Sequence, residues 1–254
     1  MKKLFLLAVA AFMLTTTHAE NTDTLTVRIQ GMRCSECGHK VKNILRKDKG
    51  VGTMEFNYER RTVKIAYDPQ KTTVENIYAS LAASGRYAAK PYSPTEVIRR
   101  DMGQRIDDMH CQKCVDRIAQ VLNKMEGIDS IAPHLDKHYY FIRYDANRTS
   151  RDEIRAALNK AGYTPCNYYS SPKIAWYYLT LPADQCTEET QETVLAINGV
   201  EDVNVNPKRR SMAITYFNDE IQGDKLLEQI QQAGIKAVLP KPHECDEEKE
   251  KAKK

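Results

Sequence analysis

The chain has 254 residues, a formal net charge of +4 and seven cysteines. A charge this small gives no polyelectrolyte character and so no basis for a nucleic-acid partner, and the length exceeds the usual size of one small domain. Seven cysteines suggest either disulfides or metal chemistry, and their spacing bears on the choice.

In chain order, the first element is Met1-Lys2-Lys3, then an apolar run from Leu4 to Leu14, then Thr17-His18-Ala19. A basic start, a short hydrophobic stretch and a small-residue site is the pattern of a cleavable signal peptide over 1–19, with cleavage expected after Ala19. Loss of Lys2 and Lys3 lowers the net charge from +4 to +2. The run is shorter than the roughly 20 apolar residues that cross a bilayer, and no other stretch approaches that length, so no membrane span is expected in the mature chain. The expected location is periplasmic or secreted.

The remainder of the chain repeats itself. Gly31-Met32-Arg33-Cys34-Ser35-Glu36-Cys37 matches Asp108-Met109-His110-Cys111-Gln112-Lys113-Cys114 at an offset of 77 residues, and the match continues without a gap through Gly50/Gly127 and Gly85/Gly162. A third copy follows at a further 72: Gly199, Tyr216 and Gly234 fall on the template, and Cys186 aligns with Cys37 and Cys114. In that alignment Ala183 stands opposite Cys34 and Cys111, and Leu181 opposite the methionine, so the third copy reads as a site that lost one cysteine by substitution.

Within each copy the elements repeat. Alternating apolar residues before the cysteines (Leu25, Val27, Ile29; Ile174, Trp176, Tyr178) predict a strand with those residues on its buried face. Val41, Ile44 and Leu45 recur at helical spacing, with Gly50 as a stop. A strand between Gly50 and Arg61 and a second alternating run (Val63, Ile65, Tyr67; Tyr140, Ile142, Tyr144; Met212, Ile214, Tyr216) come next. A second helix carries Ile77 and Leu81, Ile154 and Leu158, or Leu226 and Ile230, and ends at a glycine before a short last strand. The fold class is therefore α+β: three tandem ferredoxin-like β-α-β-β-α-β domains after the signal peptide, over 22–91, 101–168 and 173–240. Pro91-Tyr92-Ser93-Pro94 and Ser170-Ser171-Pro172 read as extended linkers, and 241–254 as a charged tail.

A unit of this order with G-M-x-C-x-x-C after its first strand resembles the heavy-metal-associated domain family, which includes copper chaperones, the repeats of copper-pumping ATPases and periplasmic mercury-binding proteins. The resemblance implies metal ligation by Cys34 and Cys37 in the first copy and by Cys111 and Cys114 in the second, with Met32 and Met109 packed beneath the loop. Asp108 for glycine and Ala146 for proline depart from the family pattern in the second copy. The third departs at the ligands.

The residues suit that chemistry independently. Two thiolates three positions apart at a helix start converge on one ion, and the helix N-terminus favours negative charge. Thiolates select soft ions, Cu(I) first, with Hg(II), Zn(II) or another soft metal as alternatives; structural zinc normally has four protein ligands. Expected partners are the metal ion and an envelope metal transporter or another metal-binding protein. No nucleophile–base pair or phosphate loop stands out, so no catalysis is expected. His110 is a candidate third ligand, although Arg33 at the same place in the first copy suggests an outward position. Cys166 is a candidate supporting thiol, and Cys186 could pair with Cys166 or Cys245. Two other readings stay open: a thiol–disulfide exchange protein cycling its C-x-x-C pairs, and an adaptor that kept the fold for protein contact.

Overall fold

The computed structural model describes residues 22–32 and 35–240. The signal-peptide reading, Cys34, Cys245 and the tail lie outside the described residues. The chain divides into two compact units, Met1–Tyr92 and Ser93–Lys254.

The first unit holds one sheet and two helices. β1 (Asp23–Gln30), β2 (Val51–Asn57), β3 (Thr62–Tyr67) and β4 (Ala88–Pro91) form an antiparallel sheet in the order β2-β3-β1-β4, with α1 (Ser35–Leu45) and α2 (Val74–Ala82) as the crossovers. Period two puts Val27, Ile29, Val63 and Ile65 on the face that meets Val41, Leu45, Ile77 and Leu81, and all eight are fully buried.

The second unit begins with the same pattern. β5 (Arg99–Ile106), β6 (Ile128–His134), β7 (Tyr139–Asp145) and β8 (Pro165–Asn167) pair in the order β6-β7-β5-β8, with α3 (Gln112–Leu122) and α4 (Arg151–Ala161). Gly162, at φ +92°, ends α4 in the left-handed conformation that glycine adopts without a Cβ penalty. The third copy follows as β9 (Ile174–Thr180), α5 (Glu188–Leu195), β10 (Val200–Asn206), β11 (Ser211–Phe217) and α6 (Gly223–Gln232). Its sheet is three-stranded, β10-β11-β9, and the expected last strand is reduced to a single bridge between Thr180 and Val238.

Two expectations for the third copy are corrected. In each copy one backbone bond closes the first strand onto the hairpin turn: Ile29 N to Arg61 O (2.8 Å), Ile106 N to His138 O (2.7 Å) and Leu181 N to Arg210 O (2.8 Å). Arg61, His138 and Arg210 share the left-handed conformation (φ 55°, 53°, 55°) and fall on the 77 and 72 offsets, so these three bonds mark equivalent positions. Leu181 is thus the counterpart of Ile29 and Ile106, and not of Met32 and Met109. β9 is displaced by three residues from the gap-free alignment. An odd displacement exchanges the two faces of a strand. The core of this copy is built from Ala175, Tyr177, Leu179 and Leu181, while Trp176 and Tyr178 turn to the opposite side.

Tyr168, just ahead of the second linker, stays on the sheet. Tyr168 N bonds Gly103 O at 3.0 Å, continuing the β8 pairing. Its backbone passes so close that a Cβ on Gly103 would lie 2.8 Å from Tyr168 O. The Tyr168 ring stacks between Tyr139 (3.8 Å) and Trp176 (5.1 Å). Beyond it, the outer face of the third sheet covers the edge of β8. Asn206 donates to Tyr163 O and Asn204 to Pro165 O, each at 2.7 Å. Thr215 donates to Asn167 O, and Asn167 N donates to Asp202, again at 2.7 Å. Side chains two residues apart on β10 so satisfy backbone groups two residues apart on the edge. Asp202 also pairs with Arg155 of α4. The third sheet is buried on both faces for this reason, and copies two and three form one body.

Candidate metal centre

α3 begins at the second cysteine pair. Cys111 is its N-cap residue, extended at φ −150° and ψ 169°. Cys111 O accepts from Cys114 N (3.0 Å) and Val115 N (3.2 Å), which winds the chain into the first turn and brings Cys114 back beside Cys111. The two sulfurs lie 3.4 Å apart, both side chains half-buried. Two donors that close share one ion after small χ1 adjustments, with the first-turn amides of α3 supplying positive potential.

The scaffold under this pair is fixed from two sides. Met109 is fully buried, and its carbonyl lies 2.8 Å from His138 Nδ1. It fills the core beneath the loop. Tyr140 donates to Val115 O at 2.7 Å and Tyr163 to Cys114 O at 3.5 Å, so two phenols hold the first turn of the helix. Burial, and then the adjacent Cys114, push the Tyr163 phenol up to about 12, which keeps it a neutral donor over the whole physiological range.

In the first copy Cys37 is buried in the core cluster with Met32 and Val41. Cys34, its expected co-ligand, lies outside the described residues. Gly31 precedes the pair at φ +88°, where a Cβ would sit 2.5 Å from Arg86 O. A side chain is therefore excluded on two counts. Asp108, at the same repeat position in the second copy, is not in the left-handed region, so the backbone leaves the first strand differently at this position in the two copies.

The remaining candidates separate from the pair. His110 is exposed and meets the His138 ring edge-on at 5.9 Å. Among the described residues no group of three or more His, Cys, Asp or Glu converges to hold an ion. Cys166 is fully buried between β8 and the third sheet, and burial pushes its thiol far up. Cys186 is buried in the core of the third copy, with its sulfur 3.3 Å from Pro182 O. Both are thiols, so the suggested Cys166–Cys186 bridge is absent. The third copy differs from the other two in loop length, and not by a substitution at Ala183. From Leu181 to Cys186 there are five steps, against eight from Ile106 to Cys114. The loop that carries the methionine and first cysteine is shorter by three residues, and Ala183 lies in a 3-10 turn, Ala183–Gln185, that replaces it.

A family model described as the heavy-metal-associated domain matches residues 26–86 and 105–164, the segments that contain both cysteine pairs. Those two segments belong to the heavy-metal-associated domain family. Among curated proteins, the copper-exporting P-type ATPase of Staphylococcus saprophyticus is 27% identical over 139 residues, 54% of this chain and 16% of that protein. Copper-transporting ATPase 1 of Rattus norvegicus is 23% identical over an alignment of 273 positions, 85% of this chain and 18% of that protein. The chain spans less than a fifth of the length of those relatives. Among solved structures, oxidised MerP from Ralstonia metallidurans CH34 is 30% identical, with 28% of this chain and 99% of that one covered and a TM-score of 0.27. The N-terminal soluble domains of Bacillus subtilis CopA are 22% identical, covering 60% of this chain and 98% of that one, with a TM-score of 0.27.

Proposed function

We propose that this protein is an exported soft-metal carrier that holds one thiophilic ion, Cu(I) before Hg(II) or Zn(II), at Cys34/Cys37 and a second at Cys111/Cys114. The observation that carries the reading is the convergence of Cys111 and Cys114 to 3.4 Å at the start of α3, inside a segment that matches a heavy-metal-associated domain. A two-thiolate set leaves the ion open to further ligands, whereas structural zinc sites close with four. An incoming thiolate from a partner can then add to the ion before a resident cysteine leaves, so the ion passes without ever being free. Transfer runs toward whichever site binds more tightly. The basic and apolar start of the chain, Met1 to Ala19, supports export, and with it a role in metal trafficking, sequestration or resistance alongside an envelope transporter.

The test is an anaerobic titration of the reduced mature protein with Cu(I), Hg(II) and Zn(II) against a competing chelator. Two tightly held soft ions per chain are expected, one lost in Cys34→Ser and the other in Cys111→Ser. Binding of none, or equal binding in both variants and wild type, refutes the carrier reading. Catalysed reduction of insulin disulfides that is insensitive to copper chelation would instead establish the thiol-exchange reading.

A further inference from the structure

Asp108 is the one carboxylate of the second motif loop that is almost wholly buried, at 2% exposure, and it stands where the first copy has Gly31. Its partners come from two copies. Thr164, just before β8, donates its N–H to Oδ1 (3.3 Å) and its hydroxyl to Oδ2 (3.2 Å). Tyr178 of β9 donates its hydroxyl to Oδ2 at 3.4 Å, and Arg209, in the β10–β11 turn, brings its guanidinium to 3.7 Å. Thr164 is itself held by Ser211 of β11, hydroxyl to hydroxyl at 2.6 Å. The pocket that receives Asp108 is therefore completed by the third copy. Tyr178 reaches it only because β9 is displaced by three residues, which turns that side chain away from its own core.

Burial pushes the Asp108 carboxyl up, and the Thr164 hydrogen bonds and Arg209 pull it back. A buried acid costs stability that an apolar or glycine residue at the same place would not. Such a local cost persists where it serves a site. Asp108 lies three residues before Cys111, between Ile106, bonded to the hairpin turn, and Met109, sunk in the core. Fixing its carboxylate fixes the direction in which the loop enters α3.

We propose that the third copy is a positioning module for the second cysteine pair: Tyr178 and Arg209 hold Asp108, and Asp108 holds the loop that presents Cys111 beside Cys114. Asp108, Tyr178 and Arg209 are positioning residues and touch no ion. The inference rests on the carrier reading, and it explains why a copy whose motif loop has been shortened remains packed against one that is intact. Partners around a metal-binding loop typically change affinity by about 10- to 100-fold when removed.

The test uses the full chain in two backgrounds, Cys34→Ser/Cys37→Ser to isolate the second pair and Cys111→Ser/Cys114→Ser to isolate the first. Into each go Tyr178→Phe with Arg209→Gln, and separately Arg209→Lys. Cu(I) affinity is measured by chelator competition at a temperature where circular dichroism shows every variant folded. The Tyr178→Phe/Arg209→Gln pair should weaken the second site by about tenfold and leave the first unchanged, while Arg209→Lys keeps wild-type affinity. Equal weakening at both sites, or none at the second, overturns the proposal and leaves the carrier reading standing. Should the wild type bind no Cu(I), the carrier reading fails alone. Alkylation rates of Cys111 and Cys114 in the metal-free chain then decide the positioning claim, with a change of about threefold or more expected and identical rates overturning it.

Discussion

Four cysteines of the second and third copies occupy three different chemical settings. Cys111 and Cys114 are half-buried at a helix start and can meet a solvent-borne ion or reagent. Cys166 is sealed between two sheets, and its thiol is pushed up by burial first and by the nearby Asp107 charge second. Cys186 is shielded in a core. Brief treatment of the folded, metal-free protein with iodoacetamide at pH 8 should label Cys111 and Cys114, while Cys166 reacts only after denaturant is added; peptide mass mapping reads this directly. The raised thiol of Cys166 means that the folded state resists its ionisation, so its contribution to stability is complete below the ordinary thiol range and declines as pH rises above it. The spacing of Cys111 and Cys114 anticipated their convergence at one helix start. The fate of Cys166 was not legible in the sequence, because what buries it is a sheet face whose strands β10 and β11 lie more than thirty positions away.

The repeat extends to helix starts. Thr73 and Ser150 occupy the same position in copies one and two, and each accepts a hydrogen bond from the third residue on, Asn76 N and Glu153 N, both at 3.2 Å. The counterpart before α6 is Gln222, whose extended backbone suits a cap but whose side chain makes no capping bond. Gln222→Ser should supply one and stabilise the third copy by about 0.5–1 kcal/mol, measured as a rise in the urea midpoint at unchanged slope. Apolar periodicity located the helices and the third strand of every copy correctly, since those faces meet the copy's own core. It failed at β9, where Ile174, Trp176 and Tyr178 alternate as well as Ala175, Tyr177 and Leu179 do. With apolar residues on both faces, period two could not say which face was inward. The backbone bond from Leu181 to Arg210 decides it.

The body formed by copies two and three depends on a polar seam, in which Asp202, Asn204 and Asn206 meet the β8 edge and Asp202 also neutralises Arg155. Burial lowers the Arg155 pKa, and the hydrogen bond and charge of Asp202 more than offset this, so Arg155 stays raised and ionised. Removing Asp202 leaves that cation buried without its counter-ion. Asp202→Ala should therefore cost about 3 kcal/mol, and because the seam joins two sheets, amide exchange should accelerate together at Ile142 in the second sheet and Ile214 in the third; acceleration in the third alone would mean that the sheets unfold separately. Alternating Asp and Asn in a strand flanked by valines was a signal of a covered polar face, although it reads equally well as a solvated one. Local periodicity and fixed spacing were enough to predict the repeat and the ferredoxin-like order of elements that the first two copies show, because that information is carried by residues close together in the chain. Packing alone revealed that the third copy has the shorter loop, that its first strand faces the other way, and that it closes over Asp108 beside the second pair. Each of these depends on register between strands distant in the chain, where a shift of three residues changes the face of every side chain while leaving the composition untouched.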